Sequence, residues 1–170
     1  MTSKFQKLVI VIQSKPIKII VDADACPVKT EIISIGRQFK IEVVIVASFD
    51  HRMAPATEGV TVVQVDRSDQ SVDLYIANRV SRGDILVTQD YGLATIGLAK
   101  GAITLSNRGQ RYKDETIDFL LERRHELAKQ RRGGKYARGS GPKAFTEEDR
   151  NYFLQSMTKV LTYLQENKSV

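Results

Sequence analysis

This 170-residue chain has one cysteine, two histidines and four prolines. A single thiol, Cys26, excludes an internal disulfide and suits a reducing compartment. His51 and His125 are isolated and far apart, and read as surface residues rather than metal ligands, so Cys/His zinc chemistry has no ligand set. Long apolar runs are missing too, since none approaches the ~18 residues of a membrane-spanning helix. The apolar block Leu8 to Ile12 is shorter than the core of a signal peptide, and no small-residue cleavage site follows it. These absences lead to the expectation of a soluble cytoplasmic protein without a membrane partner.

Charge is present in quantity and is unevenly placed. The chain carries a formal net charge of +6. Between Glu122 and Lys143, eight Lys and Arg residues are opposed only by Glu122 and Glu126, so this one segment accounts for the whole excess. Concentrated positive charge points to a polyanion, and the plain alternative is a solvated helix face followed by a loop.

Hydrophobic periodicity divides the chain into alternating strands and helices. "IKIIVDA" is a strand, and "PVKTEIISIGRQFK" sets Val28, Ile32, Ile35 and Phe39 at helical spacing with Pro27 at the first helical position. "IEVVIVAS" (41–48) and "VTVVQV" (60–65) are strands joined by a surface loop. "SDQSVDLYIANRV" puts Val72, Ile76 and Val80 on one helical face behind Ser68 as N-cap. "DILVT" (84–88) and "AITLS" (102–106) are strands flanking the short helix "YGLATIGLAK". A helix from about Asp114 turns Ile117, Leu120, Leu121, Leu127 and Ala128 towards the core, then gives way to "RRGGKYARGSGPK". The last helix opens on a capping box of Thr146 and Asp149 and buries Phe153, Met157, Val160, Leu161 and Leu164.

This order predicts an α/β fold, a doubly wound and mostly parallel sheet with helices on both faces, plus a C-terminal helix. Residues 1–16 read as an extension or added strand, 17–132 as the α/β domain, 133–143 as a basic Gly-rich loop, and 144–170 as a C-terminal helix of the same domain.

Doubly wound sheets work at the carboxyl ends of their strands, at the switch point. Asp22 and Asp24 close the first strand on one face, Asp90 follows a later strand, and Asp69 and Asp73 share one side of the helix feeding that strand. With the first and fourth strands as neighbours, Asp22, Asp24, Asp73 and Asp90 converge. Close carboxylates repel, and hard oxygen donors favour Mg²⁺ or Mn²⁺ as the ion that relieves them. Such an ion assists phosphodiester cleavage. The competing role for Asp24 and Asp90 is helix capping. Cys26 is either a thiol activated by a helix N-terminus or a small residue in a tight turn. Asn107, Arg108 and Arg111, after the last strand, face the same end of the sheet, where the arginines either position phosphate or pair with Asp114 or Glu115.

"VDADACPVK", "GDILVTQDYGLA", "KGAITLSNRGQRY" and "GSGPKAFTEEDRNYF" together resemble the YaiI/YqxD family of uncharacterised bacterial proteins, over roughly residues 17 to 155. The first 16 residues depart from that pattern. The family in turn is similar to PIN-type nucleases. That likeness implies a PIN-like three-layer α/β/α domain in which Asp22 or Asp24 is the first-strand acid, Asp73 the helix acid and Asp90 the fourth-strand acid, binding Mg²⁺ or Mn²⁺ for RNA cleavage. The family's "GP" and "DR" positions are Gly141, Pro142, Asp149 and Arg150, and carry no assigned role.

Three functions are therefore in play. The first is a metal-dependent ribonuclease whose Arg108, Arg111, Arg131, Arg132, Lys135, Tyr136 and Arg138 grip RNA, with DNA as a second candidate. The second is a non-catalytic RNA-binding protein of the same fold, with Tyr136 stacking on bases. The third is a phosphatase of the haloacid-dehalogenase kind, whose first strand also ends in Asp-x-Asp.

Overall fold

The computed structural model describes residues 15–49, 56–66, 69–133 and 143–168. Its elements run β1 (Lys18–Asp22), α1 (Lys29–Phe39), β2 (Glu42–Ser48), β3 (Val60–Val65), α2 (Asp69–Arg79), β4 (Ile85–Val87), α3 (Tyr91–Ala99), β5 (Ile103–Leu105), α4 (Asp114–Arg132) and α5 (Glu147–Lys168). The strands form one parallel sheet in the order β3-β2-β1-β4-β5. Chain order reverses between β1 and β4, so that pair is the switch point.

Alternation within the strands builds two cores. Ile19 and Val21 of β1, with Ile45 and Val87, face Ile32 of α1 and Phe153, Met157 and Leu161 of α5. Ile20, Val44, Val46 and Leu86 turn the other way, onto Val72 and Ile76 of α2, Val80 just after it, and Leu93 of α3. The sheet is thus covered on both faces, as a parallel sheet requires. Asp84, at the opposite end of β4 from Asp90, is buried and accepts hydrogen bonds from the Lys18 and Ser81 amides and the Ser81 hydroxyl. It belongs to the scaffold.

The expected final helix is present, with its cap. The Thr146 amide donates to Asp149 Oδ2 (2.9 Å), and the Asp149 amide donates back to Thr146 Oγ1 (3.2 Å). That reciprocal pair is a capping box with Asp in the usual Glu position. Arg108 donates to the same Asp149 carboxylate and to the Lys143 carbonyl. Arg150 reaches α1, donating to Glu31 Oε1 (2.5 Å) and the Pro27 carbonyl (3.0 Å). Both guanidinium groups lie by the Phe145 ring, 5.5 and 5.3 Å from its centroid. The Asp149–Arg150 pair, unassigned from sequence, therefore fastens α5 to the body. Beneath it, Gly109 has φ +82°, and a Cβ there would stand 2.8 Å from the Phe153 Cα. No other residue fits that approach.

Three local expectations are corrected. Helix α1 starts at Lys29 with Val28 as N-cap, so Pro27 lies in the preceding turn. Leu127 is 45% exposed and Ala128 half-buried, because α4 packs on α3 and Tyr112 through Ile117, Leu120 and Leu121 in its first turns. Arg108 turns to Asp149 rather than to Asp114 or Glu115. The added strand in 1–16, Ser68 and most of the 133–143 loop lie outside the described residues.

Replacing Phe153, a fully buried side chain, with Ala should lower unfolding free energy by about 3–5 kcal/mol in denaturant titration. Tyr152→Ala, at an exposed neighbour, should change it by no more than about 0.5 kcal/mol. The Thr146 amide and Arg108 hold the Asp149 carboxyl below its usual 3.8. A depressed folded pKa gives stability that is present above the unfolded value and lost as pH falls through the folded one. Wild type should therefore exceed Asp149→Asn in Tm at neutral pH, and the two should converge well below pH 3.8.

Candidate active site

One step past the Val21–Val87 pair in the β1–β4 register come Asp22 and Thr88. Thr88 Oγ1 donates to Asp22 Oδ2 (2.8 Å) and accepts the Asp90 amide (3.0 Å). A single hydroxyl thus ties the two strand ends together. Asp90 Oδ1 accepts the Leu93 amide (2.9 Å), so Asp90 does cap α3. Asp24 does not cap α1. It sits in the turn after β1, where its Oδ1 accepts the Ser48 amide from the end of β2 (2.8 Å).

Asp22, Asp24 and Asp90 line one cleft of about 920 Å³. Burial raises the Asp22 carboxyl above its usual range. The Thr88 bond opposes this, and the neighbouring Asp24 and Asp90 charges add to the rise. Asp22 is therefore close enough to both neighbours to feel their charge. Asp73 is half-buried on α2 and is not among the residues lining this cleft. Val72 and Ile76 of that helix pack on the sheet face.

Asn107 adds a further oxygen. It is 2% exposed, its Nδ2 donates to the Ala25 carbonyl (3.2 Å), and it lines the cleft. That bond fixes the amide orientation, because a carbonyl only accepts. Its Oδ1 is buried with no hydrogen-bond partner, which is costly in a folded protein unless something else supplies a donor or a charge. Among the described residues, no three Asp, Glu, His or Cys side chains make a closed ligand group for an ion. The oxygens that line the cleft, from three carboxylates and one amide, are of the kind that hard cations take, directly or through their water shell.

The other wall comes from α4. Arg123, Arg124 and Arg131 line the cleft with Leu120, Leu127 and Ala128. Acid and base therefore occupy one concavity. Of the residues expected to grip a polyanion, Arg131 is in this wall, while Arg132 and Arg111 are exposed elsewhere and Arg108 is engaged with α5. Lys135, Tyr136 and Arg138, like His51, lie outside the described residues. Thr88, Gln89, Tyr91, Arg123 and Arg124 were not singled out as site residues from the sequence. For Thr88 the signal was there, a hydroxyl side chain at the end of an apolar strand two residues before an acid.

The match to known proteins covers this whole arrangement. The model of the family described as "Uncharacterized BCR, YaiI/YqxD family" matches residues 20–163. The chain belongs to the YaiI/YqxD family. It is 47% identical over 148 residues to a UPF0178 protein of Listeria welshimeri, an alignment spanning 87% of this chain and 95% of the relative. It is 49% identical over 144 residues to a UPF0178 protein of Bacillus pumilus, covering 85% and 86% of the two chains. No solved structure matches the chain significantly. No helix among the described residues of this YaiI/YqxD protein is long and apolar enough to cross a membrane.

Cys26 sits at the edge of the site. The turn reading holds, with the Cys26 amide donating to the Ala23 carbonyl (3.3 Å). Burial pushes the thiol up to about 11, outweighing the Val28 amide and Lys29, which lower it. The activated-thiol expectation fails because desolvation of a buried thiolate exceeds what the turn and one lysine return. A thiol-reactive dye should leave Cys26 unmodified at pH 8 in the native protein and label it within minutes once the chain is unfolded in denaturant.

Proposed function

We propose that this protein is a Mg²⁺- or Mn²⁺-dependent nuclease acting on RNA phosphodiester bonds. The observation that carries the reading is the pairing, in one cleft at the β1–β4 switch point, of Asp22, Asp24 and Asp90 with Arg123, Arg124 and Arg131. A substrate that needs both a cation and a cationic wall is an anionic ester. Asp22, Asp24 and Asp90, with Asn107 Oδ1 beside them, would hold the ion, in keeping with Mg²⁺ sites that use few carboxylates and complete the shell with water and substrate phosphate. When bound, the ion supplies Lewis-acid polarisation of a phosphoryl oxygen.

The chain's own residues do the rest. Thr88 orients Asp22 and the Asp90 backbone through one hydroxyl. The α4 arginines bind phosphates on either side of the reacting one, and their planar forks match phosphate oxygens. Asn107 and Asp24 hold the turn after β1 against the ends of β5 and β2, which fixes the cleft floor.

A second reading, RNA binding without chemistry, draws on a different observation. Asp24 and Asp90 each already accept a backbone amide, a scaffold role that does not require catalysis. Asp90→Asn separates the two, because Asn is as good an N-cap as Asp. A nuclease should lose on the order of 100-fold or more of its Mn²⁺-dependent cleavage of a single-stranded RNA, with Tm unchanged. Asp22→Asn should do the same and also weaken Mn²⁺ binding in calorimetry. Cleavage absent in wild type at every Mn²⁺ concentration, with RNA still bound, would leave the binding reading. In either case Arg123→Ala with Arg124→Ala should make the log–log dependence of RNA affinity on salt shallower by roughly 1.4.

A further inference from the structure

Charges alone do not account for the interior of the cleft. Tyr91, Leu120, Leu127 and Ala128 lie among its acids and arginines. Leu127 is 45% exposed and stands outside the small core in which Tyr91, Leu120 and Leu121 pack in part against Ala94, Tyr112 and Ile117. Its place in the cleft wall is thus not required by the core. Tyr91 directly follows Asp90 and is half-buried. Its ring meets Tyr112 edge-on, with centroids 5.9 Å apart and planes at 74°. Tyr112 is buried, and its hydroxyl donates to the Thr88 carbonyl (3.2 Å). The strand end that orients Asp22 therefore also fixes, through Tyr112, an aromatic ring beside the carboxylates.

A held aromatic ring, aliphatic side chains and phosphate-binding arginines in one concavity are what a nucleotide with an unpaired base requires. Stacking on an aromatic face is available to every base, and only a base outside a duplex has a free face to offer. Resting on the nuclease reading above, we propose that the cleft seats one unpaired nucleobase against Tyr91, with Leu120 and Leu127 across from it and Arg124 on the adjoining phosphate. The polymer it selects is then single-stranded RNA and not duplex. Tyr91 is a specificity-determining residue that leaves the ion and the phosphates to other side chains.

The test compares binding of a short single-stranded RNA, the same strand with an abasic central residue, and free AMP. Affinities are measured by fluorescence anisotropy on wild type in EDTA and on Asp22→Asn, so that turnover does not intervene. The base-bearing strand should bind on the order of tenfold more tightly than the abasic one. Tyr91→Leu should abolish that difference while leaving abasic-strand affinity unchanged, and Tyr91→Trp should keep it. A variant that had merely loosened the α3–α4 packing would instead weaken both strands and lower Tm. AMP binding much more weakly than the strand assigns the seat to a polymer, and AMP binding equally well assigns the same seat to a free nucleotide. Equal binding of the base-bearing and abasic strands, or a base preference that survives in Tyr91→Leu, would overturn the inference and leave the nuclease reading standing. Failure of wild type to bind any strand would remove both.

Discussion

Pairing of β1 with β4 is the contact on which the rest of the molecule depends. Side by side in parallel, the two strands bring residues separated by 66 positions to within one hydrogen bond, Thr88 to Asp22. The register also decides the face. A slip of β1 by one residue would turn Asp22 towards the α1–α5 core and Ile20 out of the α2–α3 core. The hydrophobic pattern that fixes the sheet therefore fixes the acidic floor.

Around that floor, polar groups divide into those that hold the scaffold and those that face the cleft. Asp24 and Asp90 do both, since each accepts a backbone amide while lining the cavity, and buried Thr88 stands behind them on the scaffold side. This double use keeps like charges close in spite of their repulsion, because each carboxylate is held by a bond that its neighbours do not share. Arg108, Arg150 and Phe145 are wholly on the scaffold side. They fasten α5 over Gly109, whose missing side chain lets the helix backbone come close.

Much of this was readable in the sequence, and for a physical reason. The strands and the buried faces of α1, α2 and α5 announce themselves by period, because burial on a regular element forces apolar residues to regular spacing. The Thr146–Asp149 cap was legible because capping is local. Convergence of Asp22, Asp24 and Asp90 followed from placing acids at strand ends. What failed depended on distance or direction. Asp73 is not among the residues that line the cleft, and four-residue spacing from Asp69 places it along a helix without placing that helix against a site. Arg108 was drawn to Asp149, 41 positions away, a partner no local pattern names. Leu127 has helical periodicity with Leu120 but extends past the surface that period assumes.

Helix α4 poses the last question of synthesis, whether its basic residues serve the helix or the cleft. Lys129, Arg131 and Arg132 fall in the last turn, where cations stabilise the helix by opposing its dipole. That local role accounts for Lys129 and Arg132 without any ligand, while Arg131 also lines the cleft. Arg123 and Arg124 stand near the middle of the 19-residue helix, and a dipole effect that fades within the terminal turn does not reach them. Their surroundings join them to Arg131. They share the cleft with three carboxylates, and attraction across it favours both sets of charges even before a ligand arrives. An anionic ligand brought in with its own cation would satisfy both walls at once. The mid-helix arginines, more than the conspicuous basic tail of the segment, therefore connect the chain's excess positive charge to its acidic floor.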